Sequence, residues 1–81
     1  MPPRLRRLSG SEVIHSLEEF GFQRVLQRGS HVKLRRVTPE GQRQTLTIPF
    51  HRQLDVGTLR AIFRQASRFV PEEELHEHFY T

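Results

Sequence analysis

Two periods of hydrophobic and polar residues divide the chain. Val13, Ile14, Leu17 and Phe20 recur three and four positions apart, which makes one apolar stripe on a helix. Ahead of them, Ser9-Gly10-Ser11-Glu12 has the capping-box pattern, in which Ser caps the first turn and the Glu three residues on caps in return. Gly21 stops the run. The spacing predicts a helix from about Gly10 to Phe20, with Glu12, Glu18 and Glu19 largely outward. From Phe22 to Arg28 the helical period is lost, and the segment reads as a strand. Gly29-Ser30 follows as a tight turn. His31 to Val37 then alternates, Val32 and Leu34 on one side and His31, Lys33 and Arg35 on the other. Thr38-Pro39-Glu40-Gly41 is a turn signal. Gln44 to Pro49 alternates again, with Leu46 and Ile48 opposite Thr45 and Thr47. Two successive hairpins predict a three-stranded antiparallel meander.

A loop from Phe50 to Leu54 leads to Asp55, a good helix N-cap. Leu59, Ile62, Phe63 and Ala66 then mark a second amphipathic helix to about Ser67. Pro71-Glu72-Glu73-Glu74 opens a short third helix, with Pro at its first position, acids in its first turn and Leu75 and Phe79 as anchors. The predicted fold class is α+β, in the order α-β-β-β-α plus a short C-terminal helix. Both main helices can cover the sheet face of Val32, Leu34, Leu46 and Ile48. The other face, with His31, Lys33 and Arg35, is left open. Phe20 and Phe63 fit helical stripes and are expected in the core. Three regions follow: a flexible basic arm over 1–8, a domain over 9–70 and an acidic helix over 71–81.

At 81 residues the chain makes one domain at most. It has no cysteine, which excludes disulfides and Cys-based zinc sites. No apolar run of signal-peptide length follows the basic N-terminus, and nothing approaches the ~20 apolar residues of a membrane span. The expectation is a soluble, cytoplasmic protein with no membrane association. Charge sharpens the picture. The net charge is +4, but Glu72, Glu73, Glu74 and Glu77 all lie in the last eleven residues. Residues 1–70 hold all 13 cations against five acids, a net of +8, and twelve of the cations are arginine. Arginine offers a planar fork of donors that matches phosphate, so this body favours a polyanion, nucleic acid above all. A solvated arginine-rich surface has the same composition.

Among single residues, His31 stands out. It begins a strand directly after a glycine turn and shares a face with Lys33 and Arg35. Histidine suits proton transfer near neutrality, and RNA carries its own nucleophile in the 2′-hydroxyl. A base taking that proton, with cations balancing the phosphorane charge, cleaves RNA without a metal. An ordinary surface histidine at a hairpin fits the same spacing. His51, between Pro49-Phe50 and Arg52, fits a phosphate contact and a locally bonded loop residue equally. Arg60, Arg64 and Arg68 recur every four residues, as a track for a phosphate backbone or as a solvated stripe. His15 reads as a surface or boundary residue. His76 and His78 lie about 200° apart around a helix, a poor pair for a metal, and no metal or cofactor is expected.

Several segments in order resemble the HicA toxin family, small mRNA interferases of toxin–antitoxin pairs. They are Ser9-Gly10-Ser11-Glu12-Val13-Ile14 with Leu17-Glu18-Glu19-Phe20-Gly21-Phe22, then Gln27-Arg28-Gly29-Ser30-His31. Thr47-Ile48-Pro49-Phe50-His51 follows, then Gly57-Thr58-Leu59-Arg60-Ala61-Ile62 with Arg64-Gln65-Ala66. The resemblance implies a double-stranded-RNA-binding-domain-like fold, ribosome-independent mRNA cleavage and a HicB-type antitoxin that covers the active surface. It implies a catalytic role for His31, the histidine of Gly-Ser-His. Arg28, Gly29, Ser30, Lys33, Arg35, His51, Arg52, Arg60 and Arg64 are the expected RNA contacts. A non-catalytic double-stranded-RNA-binding module is the alternative. Two features depart from the family pattern: Arg52-Gln53-Leu54-Asp55-Val56 lacks a Lys-Pro pair before Gly57, and the tail after Ser67 is acidic.

Overall fold

The computed structural model describes residues 2–81. Its elements are α1 (Gly10–Glu18), β1 (Gln23–Arg28), β2 (His31–Val37), β3 (Arg43–Pro49), α2 (Val56–Ala66) and α3 (Glu72–Phe79). This is the predicted order, an α+β domain of double-stranded-RNA-binding-domain type with a third helix.

The capping box forms in full. Ser9 Oγ accepts from the Glu12 N–H at 3.0 Å, and the Glu12 carboxylate accepts from the Ser9 N–H at 2.8 Å. Helix α1 stops two residues before Phe20, because the chain closes into a turn through Gly21 at φ +94°. There the Gly21 N–H bonds the Glu18 carbonyl and the Phe22 N–H bonds that of Leu17. Pro71 occupies the N-cap of α3 rather than its first helical position.

The strands pair in the order β1-β2-β3, antiparallel throughout. Val32, Leu34, Leu46 and Ile48 are buried. Val13, Ile14 and Leu17 of α1, Leu59, Ile62 and Ala66 of α2, and Leu75 and Phe79 of α3 join the same core. Phe20 and Phe63 pack at its margin, half-buried. No polar or charged residue is buried as a whole among the described residues.

A β-bulge at Val25 decides which side chains of β1 meet the open face. Gln23 pairs with Arg35 and Arg24 with Leu34, but Leu26 then pairs with Lys33 and Arg28 with His31. The extra residue reverses the phase of the strand. Phe22, just before the strand, therefore reaches the core, while Leu26 and Arg28 lie on the side of Lys33 and His31.

The segment read as a basic arm makes contacts that charge alone did not suggest. Leu5 bridges Tyr80, the Arg6 N–H bonds the Phe79 carbonyl, and the Thr81 N–H bonds the Arg4 carbonyl. Leu8 is buried, and its carbonyl accepts from the Leu54 N–H. The two leucines among the arginines supply the anchor, since burying each removes apolar area from water.

Arg36 ties the layers together. Its guanidinium donates to Gln44 Oε1 at 2.7 Å and to the Phe20 and Phe69 carbonyls at 2.9 and 2.7 Å. It also stands over the Phe22 ring, 5.1 Å from the centroid. The two carbonyls lie just after α1 and α2, so one side chain fastens both helix exits to the sheet.

Candidate functional site

Arg28 and His31 are cross-strand partners, which leaves Gly29-Ser30 as a two-residue turn. Gly29 has φ +56° and Ser30 has no positive φ. Glycine at the first central position with a left-handed φ is a favoured hairpin closure, matched to strand twist. A Cβ at Gly29 would meet nothing within 4 Å, so the requirement is conformational. Gly29→Ala is expected to cost about 1 kcal/mol, the left-handed penalty of an L-residue, read as a lower urea midpoint.

His31 is exposed at the start of β2. It lines an open pocket of about 240 Å³ with Leu26, Arg28, Lys33 and Thr47. Arg28 and Lys33 thus bring two cations to the pocket, with the apolar Leu26 and with Thr47 also lining it. Arg35 lies further along the same face, opposite Gln23 and Thr45, and outside this pocket. Its Nε is buried without a hydrogen-bond partner.

The loop after β3 is fixed to the same end of the sheet. His31 pairs with Pro49, and the Phe50 N–H donates to the Ser30 carbonyl. On its other side the His51 carbonyl accepts from the Gly10 N–H at 2.9 Å. Gly10 is packed so closely that a Cβ would collide with the Pro49 carbonyl oxygen. The first residue of α1 therefore holds the Pro49–His51 backbone in place. His51 and Arg52 are exposed and share a pocket of about 260 Å³ with Ser9, Ser11 and Phe50.

A family model for HicA toxins of bacterial toxin–antitoxin systems matches residues 10–67. The chain belongs to the HicA toxin family. Among curated proteins none matches it. The match runs from the first residue of α1 to just past α2, so it takes in the Gly29-Ser30 turn, His31 and the 50–55 loop. Helix α3 lies beyond it. As a HicA toxin, the protein is the toxin of a toxin–antitoxin pair, and an antitoxin is its partner. No helix of the described residues is long and apolar enough to cross a membrane.

The structure of this HicA toxin does not bring all the expected RNA contacts together. Arg28, Lys33, His51 and Arg52 lie at the end of the sheet that carries His31. Arg60 and Arg64 are exposed on α2 and line a separate pocket with Phe63, Ser67, Glu72 and Tyr80. The inward side of α2 is spent on the core, so its arginines face away from the sheet. The remaining histidines have local partners: His15 lies 3.9 Å from the Glu18 carboxylate, His76 stacks on Tyr80, and His78 sets against Phe20 edge to face.

Asp55 begins α2 as predicted, its carboxylate accepting from the Thr58 N–H at 2.7 Å. That backbone hydrogen bond, with the Thr58 hydroxyl, holds its pKa below the ordinary 3.8. A carboxyl whose folded pKa is depressed stabilises the fold above its ordinary value and loses that contribution as pH falls through the folded value. Thermal melts taken downward from neutral pH should show this acid loss in the wild type. Asp55→Asn keeps an oxygen acceptor at the cap but carries no charge to titrate. Its melting temperature should fall less steeply through the same range.

Sequence reasoning missed Leu26, Phe50 and Arg36. Leu26 depends on the bulge, which no residue type announces. Phe50 could have been singled out as an aromatic that belongs to no apolar stripe.

Proposed function

We propose that this toxin cleaves single-stranded mRNA independently of the ribosome, in the cytoplasm, with His31 moving the proton. The observation that carries the reading is the pocket in which exposed His31 stands beside Arg28, Lys33 and Thr47. A ring nitrogen of His31 takes the proton from the 2′-hydroxyl of the bound nucleotide. The resulting oxyanion attacks the adjacent phosphorus, and the bond from phosphorus to the 5′-oxygen breaks. That oxygen leaves with a proton delivered by solvent. Arg28 and Lys33 oppose the charge that gathers on the non-bridging oxygens. The products are a 2′,3′-cyclic phosphate and a 5′-hydroxyl end, and the chemistry asks for no metal.

Incubating the purified chain with single-stranded RNA in EDTA tests the proposal. Cleavage with cyclic-phosphate ends is expected. Intact RNA, or RNA bound as duplex without cutting, would replace this reading with a non-catalytic RNA-binding module. The antitoxin, of HicB type, is proposed to act by covering the open sheet face and with it His31.

A further inference from the structure

Of the seven aromatic residues, Phe22 and Phe79 are buried, and Phe20, Phe63, Phe69 and Tyr80 pack half-buried against the core. Phe50 alone of these seven is exposed, at 44 %. Exposing one large apolar side chain is ordinary in itself. Its setting is not ordinary. The backbone on either side is clamped, by the Ser30 carbonyl at Phe50 and by Gly10 at His51. The ring is therefore held out on a rigid support rather than on a loose loop. It lies one residue beyond Pro49, the cross-strand partner of His31, and His51 and Arg52 follow it directly.

We infer that Phe50 and the adjoining pocket form a base-stacking subsite, which takes the unpaired nucleobase of a nucleotide neighbouring the scissile phosphate. The inference rests on the RNA-cleavage reading above and deepens it. An exposed ring with an arginine close by is the arrangement by which proteins hold single strands, since every base has a π-face and every nucleotide a phosphate. Cross-strand partners lie about 5 Å apart and consecutive residues 3.8 Å apart, so His31 and Phe50 fall within the reach of adjacent nucleotides. The pocket opens beside Ser9 and Ser11 at the start of α1 rather than on the open sheet face. RNA joining the two sites thus bends around the end of the sheet, across the Ser30–Phe50 junction, with Arg52 near its phosphates. A stacked duplex cannot offer a base to Phe50 in this way, so the subsite selects single strands.

The experiment uses the full chain carrying His31→Ala, to slow turnover, and a short single-stranded RNA containing 2-aminopurine. Stacking on Phe50 is expected to quench the fluorescence. Adding Phe50→Leu, which keeps an apolar side chain but removes the π-face, should abolish the quenching and weaken binding about tenfold. Phe50→Trp should preserve both. Because residue 50 is exposed, the melting temperatures of the three proteins should agree. Equal quenching and affinity with Phe50→Leu would overturn the subsite while leaving RNA cleavage standing. Failure of every variant to bind RNA even at low salt would overturn the RNA reading itself.

Discussion

His31→Ala should lower RNA cleavage by roughly 10²–10⁴-fold, the usual contribution of a positioned proton-transfer group. The fold should not notice the change. His31 is exposed at the end of a strand, and the backbone pairing with Arg28 and Pro49 does not use its side chain. Melting temperature therefore serves as the control for intact structure. Arg28→Ala and Lys33→Ala each remove one of two neighbouring cations, so each should cost less than the loss of the histidine. Expression in cells gives a second measurement: wild type should arrest growth and His31→Ala should not. A variant that still cleaves RNA at the wild-type rate would remove His31 from the mechanism.

The largest effect on stability is expected at Arg36. Arg36→Met keeps a long apolar stem but deletes three hydrogen bonds and the cation over Phe22. Hydrogen bonds from a charged donor are each worth about 1.5–3 kcal/mol, and the Phe20 and Phe69 carbonyls lose their partner in a half-buried place. Solvent reaches part of this cluster, so the expected loss is about 3 kcal/mol rather than the full sum. Against a total of about 5–10 kcal/mol for a domain of this size, that is a large share. It corresponds to a fall in melting temperature of more than about 10 °C. Arg36→Lys should recover only part of it, because an ammonium group lacks the fork that reaches Gln44 and two carbonyls together. A melting temperature within a few degrees of wild type would mean that the clamp carries no net stability.

Local pattern made the frame of this protein legible in advance. His31–Val37 alternates cleanly because one of its faces is buried and the other is not, and the same holds for Leu46 and Ile48. The Ser9/Glu12 box and Asp55 mark helix starts because their side chains satisfy free N–H groups, a chemistry written in adjacent residues. What pattern could not give depends on long-range geometry. The phase of β1 hangs on one extra residue at Val25, so the place of Leu26 beside His31 could not be read from alternation. Arg36 looked like one arginine among twelve, because its partners come from the exits of two helices and from a neighbouring strand. Leu5 and Leu8 were read with the arginines around them, although their anchoring contacts lie with Tyr80 and Leu54. The site showed the same division. Gly29 and His31 were visible as a motif, whereas the separation of Arg60 and Arg64 from them follows from which side of α2 the core consumes.

Strand β1 is an edge of the sheet, and an edge with unpaired N–H and C=O groups is a template on which strands of other molecules can assemble. The bulge at Val25 breaks this template into two short pieces, Gln23–Arg24 and Leu26–Arg28. An incoming strand that matches one piece is out of step with the other, and each piece presents an arginine. A bulged edge of this kind is a poor template for strand addition, so pairing of one toxin with another along β1 is disfavoured. The bulge that sets Leu26 beside His31 also blunts this edge against unwanted strand pairing.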